Sequence, residues 1–264
     1  MTDSVLDGSN STSEKLDSQK YQSGNGIKAM ILAAGLGTRL KPFTDKHPKA
    51  LAVVNGKSLL QRNIEYLQQH NIYNVVINTH HFASQIEEEV LLNKGWGSNI
   101  TISYEEKVLE TGGGLKYAAS YFESSDYFVL MNADVLTNMP LDKMIAQHIR
   151  QQPIATVATS SRSTSRYLLF DDQDILCGWQ NINTGEIKMA RPAANLSQQA
   201  FSGIHVISSR FLNCLSVFEG KFSIIDVYLT NAASNFIQAF RHDGYLFVDV
   251  GKPESINVAE TLFS

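Results

Sequence analysis

The residues best suited to chemistry lie in short groups spread along a chain of 264 residues. The first is Ala33-Ala34-Gly35-Leu36-Gly37-Thr38-Arg39, directly after an apolar run of strand length. Two glycines let the backbone turn sharply and bring amide N–H groups close to an anion. Arg39 adds a planar fork of donors that matches a phosphate. Pro48-Lys49-Ala50-Leu51 follows, with Lys49 ten residues after Arg39 and so within reach of the same polyphosphate. A lysine entering an apolar stretch is also an ordinary solvated edge. Glu110-Thr111-Gly112-Gly113-Gly114 reads as a glycine segment ahead of a helix, either a place of close approach to a ring or phosphate or a flexible connection. Asn132-Ala133-Asp134 and Val248-Asp249-Val250-Gly251 each close an apolar strand with a carboxylate. Singly, such a residue is a turn or cap as often as a ligand. Together, Asp134 and Asp249 point to one Mg²⁺ held with substrate phosphates.

Two other glycine motifs are excluded by spacing. The dinucleotide fingerprint needs a glycine three residues after Gly37, where Leu40 stands. The Walker pattern would use Gly56-Lys57-Ser58, but its earlier glycine position holds Leu51. Asn55-Gly56 reads instead as a hairpin turn.

Positioning these groups requires a sheet. Ile27 to Ala34 is nearly continuous in apolar residues, as in a strand covered on both faces. Ser58 to His70 has helical spacing with Ser58 as cap, Asn74 to Asn78 is a buried-type strand, and His81 to Leu92 is helical again. Ile100 to Tyr104, a helix over Gly114 to Phe122, the strand Tyr127 to Met131, a helix over Leu141 to Gln151 and the strand Ile154 to Thr159 follow. This alternation predicts an α/β fold with a Rossmann-like, mixed and mostly parallel sheet flanked by helices. Arg166 to Phe170, Leu176 to Gln180 and Glu186 to Met189 predict a small antiparallel elaboration over 160–200, on the substrate side. The sheet resumes over Ser202 to Ile207. A helix near Ile225 to Ser234, a strand over Tyr245 to Val250 and a helix after Pro253 complete the reading. One domain spans 27–264, preceded by a flexible polar extension over 1–26, part of which Leu16 and Tyr21 could anchor to the body.

Composition narrows the function. A net charge of −4 gives no electrostatic case for nucleic acid. Cys177 and Cys214 form neither a C-x-x-C pair nor a Cys/His cluster, so both are expected as free thiols. No apolar run reaches membrane-span length, and Met1 to Gly26 lacks the pattern of a secretory signal, so the expected location is the cytoplasm.

From Lys28 to Arg39-Leu40, with Pro42 and Pro48-Lys49, the chain resembles the sugar-1-phosphate nucleotidyltransferase family. Glu110 to Gly114, Phe201-Ser202-Gly203-Ile204 and Val248 to Gly251 are similar to its short bacterial members, the N-acetylmuramate-1-phosphate uridylyltransferases and mannose-1-phosphate guanylyltransferases. The resemblance covers roughly 27–262. It implies that Ala33, Ala34, Gly35, Gly37, Thr38 and Arg39 embrace a nucleoside triphosphate. It implies that Lys49 meets the α-phosphate or the sugar phosphate, and that Asp134 and Asp249 bind Mg²⁺. It places Gly112 and Gly113 under the nucleoside, Glu110 against the base or sugar, Asn132 near the ribose and Gly203 on the substrate side. Arg39, Lys49, Asp134 and Asp249 are then the catalytic set, acting on a nucleoside triphosphate and a sugar 1-phosphate. Two departures stand out: Ala133 replaces the usual glycine, and no Glu-Lys-Pro segment stands near Ala190-Arg191-Pro192. The expected reaction yields a nucleotide sugar and pyrophosphate, with uridylyl transfer to an amino sugar as the leaning. Competing readings are guanylyl transfer to mannose or heptose 1-phosphate, transfer to another phosphorylated alcohol, or a non-catalytic nucleotide-sugar sensor. Neither oligomeric state nor the identity of base and sugar follows from the sequence.

Overall fold

The computed structural model describes residues 26–263. The expected polar extension, with Leu16 and Tyr21, lies outside the described residues except for Gly26.

β1 (Lys28–Leu32) leads into the glycine turn and three short 3-10 turns. β2 (Val53–Val54) and β3 (Lys57–Ser58) form a hairpin about Asn55-Gly56, whose φ angles of 45° and 77° are those a tight hairpin turn needs. α1 (Leu59–Gln69) starts where Ser58 Oγ accepts a bond from the Gln61 N–H at 3.1 Å, as its cap reading requires. β4 (Asn74–Thr79), α2 (Ala83–Leu92), β5 (Asn99–Tyr104) and α3 (Glu110–Tyr117) follow, then β6 (Tyr127–Asn132), β7 (Val135–Thr137), α4 (Leu141–Gln151) and β8 (Ala155–Ser160). The antiparallel part comprises β9 (Arg166–Phe170), β10 (Leu176–Asn181), β11 (Glu186–Met189) and the long β12 (Ser197–Ser208). The chain closes with α5 (Ile224–Asn231), β13 (Ile237–Arg241), β14 (Phe247–Asp249) and α6 (Pro253–Leu262).

The main sheet has ten strands in the order β11-β10-β9-β12-β6-β1-β4-β5, with β8 also beside β12 and β13 beside β8. β6, β1, β4 and β5 are mutually parallel, while β12 runs antiparallel to β6, β8 and β9. The expected mixed, mostly parallel centre is therefore present. Its apolar continuity has a simple cause, because both faces are covered. Ala29 and Ile31 pack on one side with Leu60, Ile64 and Leu67, whereas Met30 packs on the other with Leu115, Phe122 and Tyr228. Strand alternation sends successive side chains to opposite faces, so a doubly covered strand must be apolar at both parities.

Three expectations on elements need revision. The strand expected over 202–207 is twelve residues long. Its start pairs with β9 and its end with β6 and β8, so the antiparallel elaboration continues the main sheet. The helix expected from Gly114 begins at Glu110, so the glycine run lies inside α3, and its end at Tyr117 is followed by a 3-10 turn. β7 and β13 fell in segments read as connections.

Candidate active site

β1 delivers the chain to the cleft. The Ala33 N–H donates to Asn78 Oδ1 at 2.7 Å, and the Ala133 N–H donates to the Leu32 carbonyl at 3.1 Å. The first turn of the glycine loop is thus tied to the ends of both neighbouring parallel strands. Gly37 takes φ 61°, and a Cβ there would lie 2.9 Å from both Lys49 Cβ and Thr44 Cγ2. Its carbonyl accepts from the Leu40 N–H and from Thr44 Oγ1. This glycine is demanded by the loop's own packing. Gly35 is different: nothing lies within 4 Å of a Cβ built on it, so the space above it is free for a ligand.

The two carboxylates meet by a route the sequence did not disclose. A separate two-stranded ladder pairs β7 with β14, setting Val135 opposite Asp249, and the Val250 N–H donates to the Asp134 carbonyl at 2.8 Å. Asp134 and Asp249 therefore sit on adjacent backbones. Lys49 Nζ donates to Asp134 Oδ2, with both side chains mostly buried. A Cβ on Gly251 would lie 2.8 Å from Asp249 Oδ1 and 2.9 Å from Arg39 Nη2, so the guanidinium and this carboxylate both lean on the bare glycine. The surrounding protein, and then the Asp134 charge, push the Asp249 carboxyl above the usual carboxylate range, although the residue keeps an exposed edge. Lys49, Arg39 and Arg162 act in the opposite direction. Arg162 is fixed for this by a 2.8 Å bond to the Phe201 carbonyl and by the Phe247 ring below it, 5.1 Å from the guanidinium carbon.

Arg39, Lys49 and Asp134 border a cleft of about 530 Å³, with Asp249 and Arg162 set behind its rim, outside the lining residues. Ala33, Ala34, Gly35, Gly37, Thr38, Arg39, Lys49, Glu110, Asn132 and Asp134 all line it, as does Gly251. Val108, Thr111 and Ser223 form its far wall, and Asn78 and Arg166 also face it. Glu110 is held at φ 62°, a conformation that costs a non-glycine residue, and its carboxylate meets Lys221 Nζ at 3.3 Å.

Gly112, Gly113 and Gly203 do not line this surface; all three are buried. A Cβ on Gly112 would strike the Phe222 ring at 2.5 Å, and one on Gly113 the Gly220 carbonyl at 2.7 Å. The N–H groups of Gly112 and Gly113 both donate to the Phe222 carbonyl. The run seats α3 against the segment before α5, which corrects both the close-approach and the flexible-loop expectations. Gly203 has φ 72° at an irregular point of β12, and a Cβ there would meet Asn132 Nδ2 at 2.7 Å. It makes room for Asn132, which does reach the cleft.

Asn78, Val108, Thr111, Arg162, Arg166 and Ser223 escaped the sequence reading. Asn78 carried a signal, since it is a polar residue near the end of a buried parallel strand, as Asn132 is. The others come from connections or from the first residues of elements, Thr111 in α3 and Arg166 in β9, whose approach only the tertiary fold creates.

A glycine turn at the C-terminal edge of a doubly covered parallel sheet, facing two carboxylates and several fixed cations, defines a phosphate-handling group-transfer site. The chain belongs to the nucleotidyl transferase family, whose model matches residues 28–170. The sugar-1-phosphate nucleotidyltransferase resemblance is thereby borne out. The chain is 29% identical over 239 residues to an N-acetylmuramate alpha-1-phosphate uridylyltransferase of Caulobacter vibrioides, covering 88% of this chain and 95% of that one. It is 26% identical over 243 residues to a mannose-1-phosphate guanylyltransferase catalytic subunit beta of Xenopus tropicalis, covering 86% of this chain and 62% of that one. The crystal structure of HddC from Yersinia pseudotuberculosis, complexed with GMP-PN, shares the fold at a TM-score of 0.72 and 22% identity, over 90% of this chain and all of that one. Among the described residues no helix is long and apolar enough to cross a membrane.

Proposed function

We propose that the chain transfers a nucleoside monophosphate from a nucleoside triphosphate to a sugar 1-phosphate, releasing pyrophosphate, with uridylyl transfer to an amino-sugar 1-phosphate as the specific reaction. The observation that carries the reading is the convergence of Arg39, Lys49, Asp134 and Asp249 beside the open space above Gly35. The uridylyl leaning is supported by the relative from Caulobacter vibrioides, which this chain matches over 95% of its length. The reaction belongs to the cytoplasm, where these two kinds of substrate are made.

The donor set fits a magnesium ion. Asp134 and Asp249 offer hard oxygen ligands on adjacent backbones, and the Asp134 charge raises the cost of ionising Asp249, which a cation between them would relieve. Asp134 and Asp249 would hold the ion, whose chemistry is charge neutralisation on the triphosphate. The protein's own residues do the rest. The loop over Gly35 to Arg39 receives the phosphate chain, and the Arg39 fork fixes its orientation. Lys49, which lines the same cleft, would meet the α-phosphate or the sugar phosphate. The attacking sugar phosphate is also anionic, and two unit charges ~4 Å apart repel by about 4 kcal/mol at an effective dielectric of ~20. Arg39, Lys49, Arg162 and Arg166 reduce that repulsion and stabilise the charge that builds at the α-phosphorus. No covalent nucleophile is required, since positioning and electrostatics suffice.

The test is pyrophosphate release across a panel of nucleoside triphosphates and sugar 1-phosphates. The reading expects release with UTP and an amino-sugar 1-phosphate. Release only with GTP and mannose or heptose 1-phosphate would favour the guanylyl reading, and nucleotide binding with no release under any pairing would indicate a sensor.

A further inference from the structure

Behind the cleft wall lies a carboxylate that the chemistry above does not use. Glu105 follows β5 and is 1% exposed, and the protein around it pushes its carboxyl above the ordinary range. Its Oε1 accepts from Asn78 Nδ2 at 2.7 Å, and its Oε2 accepts from the Leu109 N–H at 3.1 Å. Asn78 in turn accepts from the Ala33 N–H at 2.7 Å. One continuous relay thus runs from the first residue of the glycine loop to the residue before the strained Glu110. The packing leaves no slack, since a Cβ on Gly114 would lie 2.6 Å from Glu105 Oε1 and 2.7 Å from Asn78 Nδ2.

We propose that Glu105 is a positioning residue that spaces the triphosphate loop from the Leu109–Glu110 turn and so sets the width of the nucleotide end of the cleft. The inference rests on the nucleotidyltransferase reading of that cleft. It follows from the parity of the relay. Both ends are backbone N–H donors, and the Asn78 amide contributes one donor and one acceptor. The group between Asn78 and Leu109 must therefore accept on both sides, which an ionised carboxylate does and an amide cannot. With Glu105→Gln, no flip of either amide removes the mismatch, because each rotation moves the donor–donor contact to another link. The anchored N–H of Leu109 helps to hold the left-handed backbone of Glu110, beside the bond from the Phe222 N–H to the Leu109 carbonyl.

The experiment is calorimetric titration of wild-type protein and Glu105→Gln with nucleoside triphosphate, together with steady-state KM for the sugar 1-phosphate and thermal melting. The expected result is a nucleoside triphosphate Kd raised about tenfold, with the sugar-phosphate KM within about twofold of wild type. A merely structural role would lower the melting temperature without separating the two substrates. An unchanged nucleotide Kd, or equal weakening of both substrates, overturns the proposal. If Glu105→Gln does not fold, Glu105→Asp keeps both acceptors but withdraws them by one methylene. It should still raise the nucleotide Kd selectively, and wild-type affinity there overturns the proposal. Wild-type protein that binds no nucleoside triphosphate would refute the reading of the cleft itself, which is a different outcome.

Discussion

Asp134 and Asp249 owe their partnership to one hydrogen-bonded ladder, and each carries a different burden within it. Asp134 is paired directly with Lys49, whereas Asp249 makes no direct ion pair and depends on the fields of Lys49, Arg39 and Arg162 at longer range. Replacing either by asparagine keeps the size and removes the charge. Asp134→Asn and Asp249→Asn should each lower kcat on the order of 10²–10³-fold while melting normally. The double variant should be little worse than the poorer single one, as the proposed sharing of one ion requires. Strictly additive losses, or full turnover in a chelator with no divalent cation, would contradict the shared clamp. Arg39→Lys keeps a cation but loses the planar fork that rests on Gly251. Its kcat/KM should fall, and unchanged kinetics would remove Arg39 from the phosphate path.

α3 shows how a correct motif can be given the wrong reason. The sequence signalled Gly112-Gly113-Gly114 as special, yet composition cannot distinguish a glycine that faces a ligand from one that faces a phenylalanine. The structure puts Phe222 and the Gly220 carbonyl where the missing side chains would be. Gly112→Ala and Gly113→Val should therefore lower the melting temperature by several degrees, corresponding to ~1–3 kcal/mol of overpacking. An unchanged melting curve with selective loss of nucleotide binding would restore the close-approach reading. Elements with strong apolar patterning were readable to within a residue or so: α4 and β9 begin and end where the pattern places them. β7 has three residues, too few for any period to register, and it is the strand that brings Asp134 to Asp249. The proposed catalytic groups could be picked out because they stand in short motifs. Arg166 and Ser223 in the cleft, and Arg162 near Asp249, were not, because nothing local marks a residue that only the tertiary fold brings to a site.

The ten-stranded sheet is joined to its helices partly through buried imidazoles. His148 on α4 bonds Thr156 Oγ1 on β8 and Ser208 Oγ on β12, and His205 on β12 bonds Tyr228 OH on α5. Burial holds the His148 ring down at about 4 and the His205 ring at about 3. Both stay neutral in the folded chain, while the unfolded chain takes up their protons below about pH 6.5. The unfolded state then binds more protons, so stability is complete above about pH 6.5 and is lost as pH falls towards the folded values. The urea midpoint should drop clearly between about pH 7.5 and about pH 5, and the drop should be smaller in His148→Gln, which has no titratable ring. A midpoint that does not move over this interval would show that the imidazoles are not coupled to the fold.

The β7–β14 ladder also imposes an order in time. More than a hundred residues separate Asp134 from Asp249, so a chain still being translated exposes its glycine loop and first carboxylate long before the second exists. Ribosome-stalled chains ending before Phe247 should release no pyrophosphate, whatever they bind. On the proposed reaction, synthesis itself would act as the safety catch: the growing polypeptide would hold the phosphate loop early and become able to turn over only once the distal strand has been made.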